Sequence, residues 1–120
     1  MSERYLEIIN PSETIKGFDG KEFFSTNQTT KERTALTWKQ VCVEALLNVQ
    51  KDQEIPAEEK YKRFAIAQAI HASEASCMLS VSHAKDVMSQ VGKLYGPLIV
   101  GRVFEKIHLA QQNATQKNTN

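Results

Sequence analysis

The chain has 120 residues, of which 41% are hydrophobic and 24% charged, a composition typical of a single folded domain. Its 15 basic and 14 acidic residues leave a formal net charge of +1, which excludes a strong global attraction to nucleic acid or to an anionic membrane. No apolar stretch approaches the roughly 20 residues of a membrane span. The polar start lacks the apolar core of a signal peptide, so we expect a cytoplasmic protein.

Two cysteines, Cys42 and Cys77, are too few for a disulfide framework and lie at no spacing typical of a metal site. Neither His71 nor His83 completes a zinc-finger pattern with them. No phosphate-binding loop of the expected spacing occurs either. We therefore expect reduced thiols, no metal, no cofactor and no enzymatic activity.

The first third of the chain favours extended structure. Residues 5–9 are rich in strand formers, and Asn10-Pro11 interrupts them, which predicts a short strand. Residues 25–34 are mostly polar and predict a loop.

A β-hairpin is the strongest local β signal. Asp19-Gly20 is typical of a two-residue hairpin turn, because such turns require a positive φ that these residues tolerate. With that turn, Ile15 lies opposite Phe24, and Phe18 and Phe23 share the other face. An isolated hairpin is marginally stable in water, so the hairpin needs a helical layer or another subunit against it.

Capping residues mark the start of the first and third helices. Thr37 is the first N-cap, and Gln40 three residues later completes a capping box. Ser80 is the second N-cap, and Leu79 before it is placed to pack against Ala84. Apolar residues at helical spacing follow both caps, so each helix is predicted to bury one stripe.

Prolines mark the start of the other two helices, because the fixed φ of proline suits the first helical turn. Pro56 opens the second helix, whose apolar residues surround the axis and predict the central helix of the domain. Gly96-Pro97 ends the third helix and opens a broadly apolar fourth. From residue 111 onward no large apolar residue remains, so residues 111–120 are predicted to be a disordered polar tail.

These patterns predict a mainly α protein of the α+β class, a four-helix compact domain with an N-terminal β-hairpin. The single domain covers residues 1–110, and the hairpin lies at about residues 5–24. No internal repeat or long linker indicates a second domain.

Five segments form an ordered series of motifs. They are 19–21 (DGK), 36–47 (LTWKQVCVEALL), 58–67 (EEKYKRFAIA), 79–81 (LSV) and 91–101 (VGKLYGPLIVG). In this order they resemble a group of small, largely uncharacterised proteins of tailed bacteriophages and prophages. The resemblance implies a phage-encoded protein that acts in the cytoplasm of a bacterial host, and it supplies no catalytic residue.

The resemblance and the lack of an enzyme constellation favour an accessory protein that binds a host or phage protein. Inhibition of a bacterial defence or regulatory system is the role we expect, and a homo-oligomer is compatible with it. The candidate interface residues are apolar residues of the hairpin and the last helix: Phe18, Phe23, Phe24, Leu98, Val103 and Phe104. For each of them a place in the core is the alternative.

Two other functions are open. One is an oligomeric protein that binds a nucleotide signal, with an anion at the start of the fourth helix held by Lys93, Gly96 and Arg102. The other is a minor virion assembly factor. We expect no nucleic-acid binding, because the segment after Pro97 is too apolar for a recognition helix.

Overall fold

The computed structural model describes residues 4–26, 33–48 and 54–118, and within them it contains four strands and four helices. The strands are β1 (Tyr5–Ile9), β2 (Phe24–Thr26), β3 (Arg33–Ala35) and β4 (Ser76–Ser80). The helices are α1 (Trp38–Leu47), α2 (Ala57–Ala72), α3 (Val81–Leu94) and α4 (Pro97–Asn118). The mainly α fold of the α+β class is confirmed.

The helix starts agree with the capping signals. The hydroxyl of Thr37 accepts the backbone N–H of Gln40 at 3.1 Å, and the hydroxyl of Ser80 accepts an N–H from the first turn of α3 at 3.2 Å. Pro97 is the first residue of α4, and α2 begins directly after Pro56. Local sequence is sufficient to determine where these helices begin.

The strand predicted at residues 5–9 is present as β1, but its partner is β4. The two strands pair antiparallel, with Leu6 opposite Leu79 and Ile8 opposite Cys77. These side chains are buried and form the inner face of the sheet. β4 lies where the sequence predicts only a connection between α2 and α3, because its pairing partner is about 70 residues away in the chain.

The chain reverses direction at residues 17–21, but through a loop wider than the predicted two-residue turn. Lys16 pairs with Glu22, and the N–H of Gly17 donates to the carbonyl of Lys21 at 2.9 Å. Gly20 has a φ of 81°, which a glycine adopts without steric cost. The positive φ of Gly20 therefore lies within a five-residue loop that the Gly17–Lys21 hydrogen bond closes.

The wider loop changes the predicted pairing by one residue. The N–H of Phe23, not Phe24, donates to the carbonyl of Ile15, at 3.1 Å. Phe24 instead begins β2 and lies opposite Ala35 of β3. The loop predicted at residues 25–34 therefore contains strand residues at both ends, and its residues 27–32 lie outside the described part of the chain.

The core lies between the inner face of the β1–β4 sheet, which α3 and α4 contact, and α1, which packs against α2, α3 and α4. Trp38 is fully buried there, and its indole Nε1 donates to the carbonyl of Val103 at 3.3 Å. The other fully buried side chains of α1, α3 and α4 include Val41, Leu46, Val87, Val91 and Ile107. Ridges of such branched side chains from three helices give the domain its close packing.

α2 covers only one side of this core, so the prediction of a central helix is wrong. Its buried residues are Arg63, Ile66, Ala67 and Ile70. On the opposite side Tyr61 is 73% exposed and Phe64 is 52% exposed. A helix with apolar residues on all sides is expected to pack against other elements on two sides. In the described residues, only one side of α2 packs against the rest of the chain.

α4 continues to Asn118, which corrects the disordered tail predicted from residue 111. Alanine, glutamine and lysine dominate residues 110–117, and these are good helix formers. Extending an existing helix costs far less than nucleating one, so propensity suffices without apolar residues. Residues 119–120 lie outside the described chain, and no helix in the described ranges has the length and apolarity to cross a membrane.

Candidate functional site

An open groove with a volume of about 760 Å³ lies between residues 13–20 and α4. Its walls carry a mixture of apolar, basic and acidic side chains, among them Glu13, Lys16, Phe18, Arg102, Lys106 and Leu109. Binding sites are usually concave, so this groove is a candidate site. We call this surface the α4 groove.

Arg102 ties the loop wall of the α4 groove to the helix. Its Nε donates to the carbonyl of Lys16 at 2.8 Å, and its Nη2 donates to the carbonyl of Gly17 at 3.4 Å. Its Nη1 lies 3.1 Å from a carboxylate oxygen of Glu105. The planar guanidinium thus holds two successive loop carbonyls at once, which a lysine ammonium cannot match in geometry.

Lys106 makes a second tie one turn further along α4. Its Nζ donates to the carbonyl of Ile9 at 3.0 Å and lies 3.4 Å from a carboxylate oxygen of Glu13. The carbonyl of Glu13 also accepts the N–H of Trp38 at 3.0 Å. The two α4 cations of the groove therefore hold the N-terminal segment in place.

Phe18 lies at the rim of the α4 groove, with 92% of its surface exposed. The guanidinium carbon of Arg102 lies 5.6 Å from the centre of the Phe18 ring, within the range of a cation–π contact. A large aromatic side chain is thus presented to solvent from a loop whose backbone is fixed by hydrogen bonds.

The other candidate interface residues divide between surface and core. Leu98 lies beside Gly17, close to the loop that carries Phe18. Phe24 is half exposed on β2, with the Arg33 guanidinium 4.8 Å from its ring centre.

Val103 is fully buried, and Phe23 and Phe104 are partly buried against the core. Val103 is therefore a core residue, which is the alternative that the sequence left open for it. The interface role of the exposed candidates stays a prediction.

The residues of the predicted anion site are Lys93 near the end of α3, Gly96 before α4 and Arg102 within α4, and anion binding there stays a prediction. The carbonyl of Gly96 accepts the N–H of Val100 at 3.0 Å as the first bond of α4, as expected for a helix start. The donors of Arg102 instead point to the loop carbonyls and Glu105. Lys93 is exposed in the last turn of α3. Arg102, one of the three residues predicted to bind the anion, thus uses its donors to hold the wall of the α4 groove.

Both cysteines are buried. Burial raises the pKa of the Cys42 thiol well above its usual value, and the nearby Cys77 raises it further. Burial also raises the pKa of the Cys77 thiol, although a hydrogen bond with Ser73 partly opposes it. These environments favour the neutral thiol over the reactive thiolate. In residues 4–26, 33–48 and 54–118, no cluster of three or more His, Cys, Asp or Glu side chains could hold a metal ion.

Two exposed apolar surfaces lie outside the groove, and neither is predicted from the sequence. One is the outer side of α2, where the rings of Tyr61 and Phe64 have centres 6.4 Å apart. The other is the outer face of the β1–β4 sheet, where Tyr5, Ile9 and Met78 are exposed. The exposure of Phe64 and Met78 depends on which side of each element the rest of the chain covers, and local sequence does not show this.

No protein-family model matches the chain, and no curated protein or solved structure matches it either. A functional proposal therefore starts from the geometry of the described surface.

Proposed function

We propose that this chain is a phage-encoded accessory protein that acts by binding a segment of another protein in the α4 groove. The observation that carries the proposal is Phe18, which is 92% exposed while Arg102 holds its loop against α4. Aromatic side chains often dominate the binding energy of protein interfaces. A pre-ordered loop also reduces the entropy lost on binding, so an exposed, fixed phenylalanine is a favourable anchor.

The charges of the groove favour a peptide segment over a phosphorylated small molecule. Arg102 and Lys106 already bind backbone carbonyls and carboxylates of the protein itself, so displacing these contacts would cost any anion part of its binding energy. Phe18 and Leu109 offer apolar contacts, and Glu105 and Gln112 offer polar groups along the same groove. An apolar side chain flanked by backbone amides fits this combination.

The biological setting of the proposal comes from the sequence resemblance. The proposed place of action is the cytoplasm of the infected cell, and the partner we propose is a host protein of a defence or regulatory system. Binding would inhibit that partner by covering its surface, so the proposed role needs no catalytic residue.

Affinity capture from infected host cells tests this function, with three baits: the wild type, Phe18→Ser and the control Met78→Ser. Met78 is also an exposed apolar residue, but it lies on the outer face of the sheet. We expect the same protein with the wild type and Met78→Ser, and calorimetry with that purified partner should show binding at least ~10-fold weaker for Phe18→Ser.

Equal affinity of Phe18→Ser and the wild type for the captured partner would contradict the proposal. Thermal shift measurements with a panel of nucleotides test the alternative function, the binding of a nucleotide signal. A ligand that binds only the folded state raises the Tm. A nucleotide that stabilises the wild type, with no protein captured, would favour the small-molecule function.

A further inference from the structure

We propose that the Asp19–Gly20 sequence is a site of spontaneous covalent modification, at which Asp19 converts to isoaspartate. Asp19 is the only aspartate or asparagine of the chain that precedes a glycine. Both residues are exposed, in the loop that the Gly17–Lys21 hydrogen bond closes. The modification needs no second protein, so the inference is independent of the partner proposed for the α4 groove.

The reaction proceeds through a five-membered succinimide ring, as in aspartyl-glycyl peptides generally. The backbone nitrogen of Gly20 bonds to the side-chain carbon Cγ of Asp19, and its proton leaves with the carboxyl hydroxyl as water. Water then adds to one of the two ring carbonyl carbons and breaks the bond between that carbon and the nitrogen. Cleavage at Cγ restores aspartate, whereas cleavage at the main-chain carbonyl carbon gives isoaspartate. The water released is taken up again, so no oxidant or reductant is required.

The loop conformation brings the two reacting groups together. The Oδ1 of Asp19 accepts the N–H of Lys21 at 3.0 Å, which folds the carboxyl group back over the intervening peptide bond to Gly20. Gly20 carries no side chain that could obstruct its nitrogen, and no atom beyond its chain neighbours lies within 4 Å of where a Cβ would be. The nitrogen and the carboxyl group are thus adjacent, and no packed side chain separates them.

Asp86 and Asn10 lack this combination. Asp86 precedes the β-branched Val87 inside α3, where the helix fixes the backbone, and its carboxylate lies 2.8 Å from the Lys62 ammonium. Asn10 precedes Pro11, whose nitrogen carries no proton to lose. We therefore expect the modification at residue 19, with Asp86 as an unreactive reference in the same chain.

The hydrogen bonds of the loop slow the reaction in the folded state. The N–H of Gly20 donates to the carbonyl of Gly17 at 3.0 Å, and Arg102 holds the carbonyls of Lys16 and Gly17. The nitrogen must give up its hydrogen bond before it can lose its proton, so the reaction proceeds from chains in which the loop is open. The rate therefore depends on how tightly Arg102 holds the loop.

Conversion changes the wall of the α4 groove. In isoaspartate the main chain passes through Cβ and Cγ, so the loop gains one backbone atom and the free carboxylate moves to the Cα of residue 19. The side-chain acceptor of the Lys21 N–H is then lost, and the loop must accommodate the extra atom directly after Phe18. The modification thus alters, without any change in mass, the surface that presents the exposed ring.

Incubation of the purified full chain at physiological temperature tests the proposal, with a peptide of residues 16–22 incubated alongside as the reference. An isoaspartyl methyltransferase with a labelled methyl donor counts the isoaspartate, and electron-transfer fragmentation in a mass spectrometer locates it. We expect isoaspartate at residue 19, at a rate below that of the peptide but within about 10-fold of it, because the loop is exposed and opens locally. None should form at Asp86.

Four variants test the route and its control by the loop. Arg102→Lys should raise the rate at least ~3-fold, whereas Glu105→Gln, which keeps both carbonyl contacts, should leave it unchanged. Asp19→Glu should give no product over the same period, because the six-membered ring it needs forms far more slowly. Asp19→Asn loses ammonia instead of water, so it should convert faster and give the same ratio of isoaspartate to aspartate. Circular dichroism checks that each variant is folded.

Each part of the proposal has an outcome that contradicts it. A wild-type chain that stays unconverted at residue 19 when half of the peptide has converted overturns the modification site. A different product ratio from Asp19→Asn excludes the shared succinimide ring. An Arg102→Lys rate equal to that of the wild type overturns the control of the reaction by the loop.

Discussion

Arg102 shows how one side chain can determine the shape of a surface. Its guanidinium holds the carbonyls of Lys16 and Gly17, and the loop between them and Lys21 carries the exposed ring of Phe18. The sequence identified both Phe18 and Arg102 as candidates, but it assigned Arg102 to an anion. Backbone carbonyls are present at every residue, so no sequence signature marks the ones that an arginine binds.

The replacement Arg102→Lys should loosen this loop. A single ammonium cannot hold both carbonyls in the geometry of the guanidinium, so the loop should open more often. We expect hydrogen exchange of the Gly17 and Gly20 amides, both bonded within the loop, to rise about 10-fold by NMR. The control Glu105→Gln keeps both carbonyl contacts and should leave these rates unchanged. Wild-type exchange in Arg102→Lys would show that the tie is unimportant.

Trp38 is the largest fully buried side chain of the described residues. Trp38→Phe removes the hydrogen bond to the Val103 carbonyl and leaves a small cavity. We therefore expect the free energy of unfolding to fall by about 2 kcal/mol. Urea titration followed by circular dichroism measures this, because the variant lacks the only tryptophan. Tyr61→Phe, which alters an exposed ring, should change stability little. A Trp38→Phe midpoint equal to that of the wild type would contradict the role of the indole.

At the scale of elements, the sequence predicts features that depend on neighbouring residues, but it does not predict features that depend on distant ones. Thr37, Ser80 and the prolines mark the helix starts correctly, since caps act within one turn. β4 was not predicted, because its identity as a strand depends on β1. The two faces of α2 look equally apolar in sequence, and only the fold determines that Ile66 is buried and Phe64 exposed.

The cap of α3 can be tested by a matched pair of substitutions. Ser80→Ala removes the hydroxyl that accepts the N–H of His83, and it should lower the free energy of unfolding by about 1 kcal/mol. Ser89→Ala makes the same change at an exposed position within α3, where alanine favours the helix. Urea midpoints should therefore move in opposite directions. A shift of the same sign in both would exclude a capping role.

At the scale of the whole molecule, two cysteine thiols and one tyrosine hydroxyl make the stability of the fold depend on pH in the alkaline range. Burial raises the pKa of Cys42, Cys77 and Tyr95, and Tyr95 also donates to Glu44 at 2.9 Å. The folded state therefore retains these protons to higher pH than the unfolded chain does. Their contribution to stability is complete below the unfolded thiol pKa of about 8.5 and is lost as pH rises above it.

Urea titrations under reducing conditions between about pH 7 and pH 11 should show stability that falls steadily above about pH 8.5. Tyr95→Phe should retain the early part of this loss and show a shallower slope above about pH 10, where the free tyrosine would ionise. A wild-type midpoint that stays constant across the range would contradict the effect of burial on these groups.

The pairing of β1 with β4 has a consequence for synthesis on the ribosome. Leu6 and Ile8 are synthesised about 70 residues before β4, the strand that pairs with β1, and α4, which packs on β1, follows later still. Until then the apolar side of residues 5–9 has no native partner and is open to chaperones or to self-association. Nascent chains that end before residue 76 should therefore be sensitive to protease along β1, and protection should arise in a single step once the last helix has emerged.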